Sequence, residues 1–277
     1  RVDTEGDPGE LASALHSAPV VAATTASCGS RVMREQEFDV AVVDEASQLT
    51  EPSALAALNR AERFVLVGDH EQLPPVVQAA EPAGDEGGAD GDGADDENPL
   101  ARSLFERLIE AYPAASVMLT EQYRMSQRIQ SFASAEFYDG ALRPASGDVA
   151  GQSVGDLVDP AALPAELRDG VAVVDPDGER VGNTNPVEAD RVADIVDSYL
   201  AAGVDPEAIG VIAPFRAQVA EISRRVEVTV DTVDRFQGSS KEIIVLSFVA
   251  TGELEGPLFE DHRRINVALT RAKKGLV

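Results

Sequence analysis

The sequence predicts an α/β protein with parallel sheets, arranged in two successive units. Three observations predict it. Short apolar runs, among them Val40 to Val43 and Phe64 to Val67, stop abruptly at polar or glycine-bearing residues, the pattern of strands buried on both faces. Between such runs lie apolar residues at helical spacing, as in Val192, Ile195, Val196 and Tyr199. The links are short, and strand, helix, strand with short links is a parallel βαβ unit.

In order along the chain, residues 18–25 predict a strand opening into the hydroxyls of Thr24 and Thr25. The strand 40–43 ends in Asp44 and Glu45, and Pro52 suits the first turn of a helix running to about Arg60. The strand 64–67 is broken by Gly68-Asp69. Residues 80–97 hold five glycines, eight acids and no cation, which cannot bury apolar surface, so 80–98 predicts a disordered acidic insertion. Asn98-Pro99 then predicts a helix start, with Leu100, Leu104, Phe105 and Leu108 on one face. The first unit is expected over 1–112 and the second over 117–277.

The second unit predicts strands at 117–119, 171–174, 210–213, 226–232 and 243–248, a loop-dominated stretch at 140–170, and a helix opened by Asn185-Pro186. Ile265, Ala268, Leu269 and Ala272 predict a last helical stripe, with Gly275 as its C-terminal cap and Leu276-Val277 as the start of a further strand. On these expectations the chain is cut inside its fold.

Composition narrows the classes. At 277 residues and 44% hydrophobic, the chain holds one large or two ordinary domains. It has no apolar stretch long enough to span a membrane. It opens with Arg1 and no signal peptide, and Cys28 is its single cysteine, which excludes internal disulfides and multi-cysteine metal sites. These features predict a cytoplasmic segment of something larger. The net charge is −26, and the 23 cations comprise 20 arginines and three lysines, a pattern that predicts adaptation to high internal salt. Nonspecific nucleic-acid binding is disfavoured by that charge, so any such function needs a local basic patch. Residues 262–274 carry five cations and no acid and predict such a patch facing a polyanion.

Five short constellations carry chemistry. Asp44-Glu45-Ala-Ser-Gln48 follows a strand, where open α/β sheets bind ligands, so the pair is a candidate for holding a metal and activating water. Gly68-Asp69-His-Glu-Gln72-Leu-Pro-Pro75 follows the neighbouring strand, and parallel packing would bring the neutral amide of Gln72 near the two carboxylates. Gln122-Tyr-Arg124-Met125, Val233-Asp-Arg-Phe-Gln237-Gly238 and Asn266-Val-Ala-Leu-Thr-Arg271-Ala272 complete the set. In this order, across residues 44–272, they resemble motifs II to VI of the superfamily 1 helicases. The resemblance is to the branch of the replication nuclease–helicase that processes Okazaki-fragment flaps, whose sister branch is the RNA helicases of nonsense-mediated decay.

The resemblance implies two RecA-like P-loop NTPase domains, the first incomplete at its N-terminus, with ATP and Mg²⁺ as cofactors. Asp44 would hold Mg²⁺, Glu45 would deprotonate the attacking water, Gln72 would sense the terminal phosphate, and Arg124 and Arg271 would stabilise its charge. Asp69, Gln237, Gly238 and Ser240 would contact the nucleotide. Thr24, Thr25, Arg216 and Thr232 would contact single-stranded DNA, or RNA if the chain belongs to the sister branch, in a motor moving 5′ to 3′.

Two departures stand out. The chain has no Gly-Lys dipeptide and its lysines are Lys241, Lys273 and Lys274, so the phosphate-cradling loop is expected upstream of Arg1, together with any nuclease domain. The segment alone is therefore expected not to hydrolyse ATP, and a non-catalytic nucleic-acid-binding fragment is the alternative. Where the family has a carboxylate two residues past the glycine of Phe-Gln-Gly, this chain has Ser240, with Glu242 two residues on. Either could take the role.

Overall fold

The computed structural model describes residues 8–75, 102–176, 178–250, 259 and 261–277. The chain divides into two units, Arg1–Ser116 and Val117–Val277. The acidic insertion 80–98 and Leu100 lie outside the described residues.

In the first unit the elements are α1 (Pro8–Ser17), α2 (Thr25–Cys28), β1 (Phe38–Val43), α3 (Glu51–Leu58), β2 (Ala61–Leu66) and α4 (Leu104–Ala111). Strands β1 and β2 pair in parallel, with Val43 opposite Leu66, and α3 makes the crossover between them. Pro52 sits in the first turn of α3, where its missing N–H costs nothing. Helix α4 begins at Leu104, where the Ser103 side chain accepts from the Glu106 amide at 3.1 Å and caps it, and the expected start at Asn98-Pro99 lies outside the described residues. Val43, Ala46, Ala54, Leu58, Leu104 and Phe105 form the core.

Burial of the strands on both faces is not what the structure shows. Helices α3 and α4 cover the face carrying Ala41 and Val43, whereas Val40, Val42, Phe64 and Val65 are exposed. Residues 18–24 contain no strand either: they run without a ladder partner, and the chain turns into α2 with Thr24 as its N-cap. An apolar run becomes a strand only where another strand can pair its backbone.

The second unit contains β3 (Glu121–Gln122), α5 (Gln127–Phe137), β4 (Arg143–Pro144), α6 (Gly147–Ala150), α7 (Pro186–Ala201), β5 (Ile209–Ile212), α8 (Arg216–Ser223), β6 (Thr229–Asp231), α9 (Val233–Phe236), β7 (Lys241–Leu246), α10 (His262–Leu269) and β8 (Ala272–Leu276). Its main sheet is parallel, in the order β6-β5-β7-β8, and β3 pairs with β4 separately. Asn185 caps α7 by accepting from the Glu188 amide, and Ala189, Val192, Ile195, Val196 and Tyr199 pack onto β5 and β7 as their spacing predicts. Strands β5 and β7 are buried through their centres, while β6 is confined to three residues.

Four expectations are corrected here. Residues 117–119 are exposed and unpaired, and pairing begins only at Glu121. Residues 171–174 form a single bridge, Val171 to Leu276, and the rest of that stretch leaves the sheet. The stretch 140–170 is not merely loop: Val154, Leu163 and Leu167 sit on short 3₁₀ turns or beside them and plug the core. The last helix ends at Leu269, and Ala272–Leu276 is strand, so Gly275 is no helix cap. Gly275 pairs with Ile243, and a Cβ there would approach the Ile243 side chain to 3.1 Å, so glycine permits the close approach of β8 to β7.

Candidate functional site

In the first unit the chemistry sits where β1 and β2 end. Val67 donates to the Val43 carbonyl and Ala46 to the Val67 carbonyl, both at 2.8 Å, which ties the two post-strand loops together. Gly68 lies against this seam: a Cβ there would come within 2.9 Å of the Ser47 nitrogen. Glu45 adopts the left-handed region, φ 51°, a conformation uncommon for a non-glycine residue and one associated with functional turns. Asp44 Oδ1 accepts from the Glu45 amide at 3.0 Å, so the strained peptide is held by its own neighbour. Both carboxylates are exposed.

Gln72 does not donate to these carboxylates. Its Nε2 donates to Asp69 Oδ2 at 2.7 Å, and Asp69 Oδ1 accepts from the Glu71 amide, so Asp69 serves as scaffold for its own loop. The amide that meets Glu45 belongs to Gln48, whose Nε2 donates to Glu45 Oε2 at 2.5 Å. The sequence places Gln48 in the motif without a role, and the 3₁₀ turn Ala46–Gln48 is what lets its side chain reach back to Glu45.

The second unit gathers its candidates at the edge where β7 and β8 begin. Gln122 builds the first loop: its Oε1 accepts from the amides of Arg124 and Met125 at 2.8 and 2.7 Å, and its Nε2 donates to the Met125 carbonyl. The half-buried Arg124 then donates to the Thr270 carbonyl at 3.0 Å. Arg271 is buried and lies beyond the end of α10; it donates to the Val267 carbonyl, the Ser239 carbonyl and the Thr270 hydroxyl at 3.1, 3.3 and 3.2 Å. Gly238, at φ 78°, lets the chain reverse after Gln237, whose buried side-chain Nε2 makes no hydrogen bond among the described residues. Gln122 and Ser239 thus position the arginines, roles that no motif spacing reveals.

The basic stretch 262–274 is not the free patch its composition predicts. Arg263 pairs with Asp261, Arg264 with Asp234, and Lys273 and Lys274 with Glu242. The acids that neutralise it come from outside the stretch, which a local charge count cannot see. The same contacts bear on Ser240 and Glu242. Burial alone would push the Glu242 carboxyl up, but the two lysines outweigh it and hold it below the usual range. Glu242 is therefore bound within the sheet, and of the two residues Ser240 is the one beside the Gln237-Gly238 turn.

The second unit's nucleic-acid candidates occupy the opposite edge of its sheet, where strands end. Arg216 opens α8 after β5 and is exposed, and Thr232 follows β6 without spending its hydroxyl on capping α9. Thr24 in the first unit does spend its own, accepting from the Ser27 amide at 3.3 Å, with Thr25 the first residue of α2. A cavity of about 320 Å³ in the second unit, bounded by Arg128, Arg168 and Lys274, is lined by none of the candidate residues.

The donor set fits the implied cofactors in kind. No cluster of three or more His, Cys, Asp or Glu side chains able to hold a metal exists among the described residues. Mg²⁺ needs none, since it keeps most of its waters and takes one or two carboxylates plus phosphate oxygens, as Asp44 could supply. The unpartnered Gln237 side-chain Nε2 is a buried donor of the kind that an oxygen-rich ligand satisfies. No helix among the described residues is long and apolar enough to cross a membrane.

Two family models, each described as an AAA domain, match residues 5–80 and 100–277. The chain is 37% identical over 294 residues to the DNA replication ATP-dependent helicase/nuclease DNA2 of Xenopus laevis, covering 95% of this chain and 26% of that protein. It is 36% identical over 282 residues to the DNA replication ATP-dependent helicase/nuclease JHS1 of Arabidopsis thaliana, covering 95% and 20%. It is 35% identical over 279 residues to the uncharacterized ATP-dependent helicase MJ0104 of Methanocaldococcus jannaschii, covering 95% and 39%. The chain thus spans a fifth to two-fifths of these relatives. Among solved structures, the arterivirus nonstructural protein 10 helicase superposes with a TM-score of 0.42 at 17% identity, over 87% of this chain and 39% of that one. The chain belongs to the AAA-domain family described by these models.

Proposed function

We propose that this chain is the motor segment of an ATP-dependent DNA helicase that moves 5′ to 3′ on single-stranded DNA in replication and repair. The observation that carries the proposal is the shared anchoring of Arg124 and Arg271 on Thr270. Two guanidiniums brought together from distant parts of the sequence suit a phosphoryl group whose charge spreads during transfer.

In this reading Asp44 would hold the metal, and Glu45, in its left-handed turn beside Gln48, would take the proton of the attacking water. Bound Mg²⁺ supplies neutralisation of the phosphate charge. Arg124 and Arg271 stabilise the developing charge, and Gln237 donates to the nucleotide. Thr232 and Arg216 hold the strand backbone without reading sequence, as a translocating enzyme requires. The arginines stand where β7 and β8 begin and the strand contacts where β5 and β6 end, so the buried sheet links hydrolysis to movement. The chain lacks a Gly-Lys phosphate loop, and by itself it does not hydrolyse ATP.

Strand displacement by the complete gene product, on matched DNA and RNA duplexes with 5′ or 3′ single-stranded tails, tests this. ATP-dependent displacement of the DNA duplex with a 5′ tail is the result expected. Displacement of RNA alone assigns the sister activity, and none on any duplex refutes the motor.

A further inference from the structure

We propose that Phe248 stacks on a base of single-stranded nucleic acid and that Glu188 is the positioning residue that presents it, an assignment that rests on the helicase reading above. The topology marks the place. From β5 the chain goes to β6 on one side and then to β7 on the other, so the sheet order reverses between β5 and β7. Ligands in open parallel sheets bind outside the strand ends at such a reversal. The residues emerging there are Phe215 and Arg216 after β5, and Ser247, Phe248 and Val249 after β7.

The loop after β7 is held with unusual completeness. Glu188, projecting from the first turn of α7, accepts from the Phe248 amide at 2.6 Å and the Val249 amide at 2.9 Å, one on each carboxylate oxygen. Burial raises its pKa, and the hydrogen bonds from Phe248, Ser247 and Val249 oppose that rise. Gln218 adds a second tie by donating to the Ser247 hydroxyl at 3.1 Å and to the Asn185 carbonyl at 3.2 Å. Val249 takes φ 60°, which a β-branched residue adopts only when its surroundings impose it.

The outcome of this clamping is one exposed ring. Ser247 and Val249 are fully buried, while Phe248 between them is 36% exposed. Its ring lies 5.5 Å from that of Phe259, tilted by 31°, so one aromatic backs the other. Cations stand at the same edge: Arg216 is exposed, and Arg180 lies 5.1 Å over the Phe215 ring. Aromatic faces flanked by cations are how single strands are held without regard to sequence. In a chain of net charge −26 the ionic share of affinity is small, and stacking supplies what screening cannot remove.

Fluorescence anisotropy of labelled oligothymidylate with the 277-residue chain tests this, with thermal melts confirming that each variant folds. Phe248→Ala should weaken binding roughly 5- to 150-fold, at low and high salt alike. Phe248→Tyr should restore it. Glu188→Gln, which keeps volume but only one acceptor, should weaken binding measurably. Moving a single abasic site along the oligonucleotide should find a position that weakens the wild type but not Phe248→Ala. If Phe248→Ala binds within twofold of a wild type that binds, the stacking assignment fails and the helicase reading survives. Wild-type binding by Glu188→Gln removes the positioning role. No binding by the wild type overturns the assignment together with the reading beneath it.

Discussion

Arg124 and Arg271, 147 positions apart, meet on a single residue: Arg124 Nη1 donates to the Thr270 carbonyl at 3.0 Å and Arg271 Nη2 to the Thr270 hydroxyl at 3.2 Å. The hydroxyl in turn donates to the Asn266 carbonyl at 2.7 Å, so it has both a fixed direction and a role as acceptor. One buried threonine therefore anchors two cations to which the proposed mechanism gives the same charge.

Thr270→Val keeps the shape and removes that acceptor. Displacing a charge-stabilising group by about an ångström costs roughly 100-fold in rate. ATP hydrolysis by the complete gene product should fall by about that factor, with the nucleotide KM little changed. Thr270→Ser should retain most of the activity. Steady-state kinetics of the two variants check this, and equal loss in both would mean that the methyl group, not the hydroxyl, matters.

Gly68→Ala tests the seam between the two loops of the first unit. The added carbon would sit 2.9 Å from the Ser47 nitrogen, a backbone atom that cannot swing aside. Overpacking of this kind costs about 1–3 kcal/mol. A urea midpoint lowered accordingly, with weakened hydrolysis because Glu45 shifts, is expected. Unchanged stability would show that the seam is looser than described.

Tyr199 is fully buried, its hydroxyl has no partner among the described residues, and burial pushes its pKa up to about 12. In the unfolded chain the phenol ionises near the ordinary value of 10, so stability is intact below pH 10 and declines as the pH rises toward 12. The full decline is about 3 kcal/mol. Tyr199→Phe should abolish this tyrosine's share of the alkaline loss and should leave stability at pH 7 unchanged or raised by about 1 kcal/mol. Urea titrations at several pH values measure both effects.

Self-repulsion at a net charge of −26 predicts that salt stabilises the chain. Raising KCl from about 0.1 M to 2 M shortens the screening length from about 10 Å to a few ångströms. The melting temperature should rise by several degrees in KCl, more than in sucrose of equal osmolality. A flat or falling melting temperature would contradict the reading of the acidic composition as an adaptation to salt.

What could be read ahead of the structure was whatever short range decides. Asn185-Pro186 caps a helix because the Asn side chain reaches the Glu188 amide three residues on, and the apolar stripe after it faces the core by spacing alone. The strands β1, β5 and β7 announced themselves by apolar runs with sharp polar ends. What could not be read depended on partners elsewhere in the chain. Residues 18–24 and 117–119 have strand-like composition but no strand beside them. Gly275 looked like a cap because its neighbour Ile243 lies 32 positions away. The candidate site follows the same rule: motifs nominate Asp44, Glu45, Arg124 and Arg271, whereas the contacts that Gln48, Gln122 and Thr270 make with them, and Glu188 with the loop after β7, depend on the fold. The basic run 262–274 misled because Asp234 and Glu242, which neutralise much of it, lie outside it.

Single-strand-stimulated ATP hydrolysis, measured on the complete gene product as wild type, Glu45→Gln and Arg271→Ala, tests the proposed motor most directly. Hydrolysis should rise on adding single-stranded DNA, Glu45→Gln should lose turnover with nucleotide binding retained, and Arg271→Ala should fall ~10³-fold or more. Hydrolysis at the wild-type rate by Glu45→Gln, or no response of the wild type to single-stranded nucleic acid, would contradict the proposed motor.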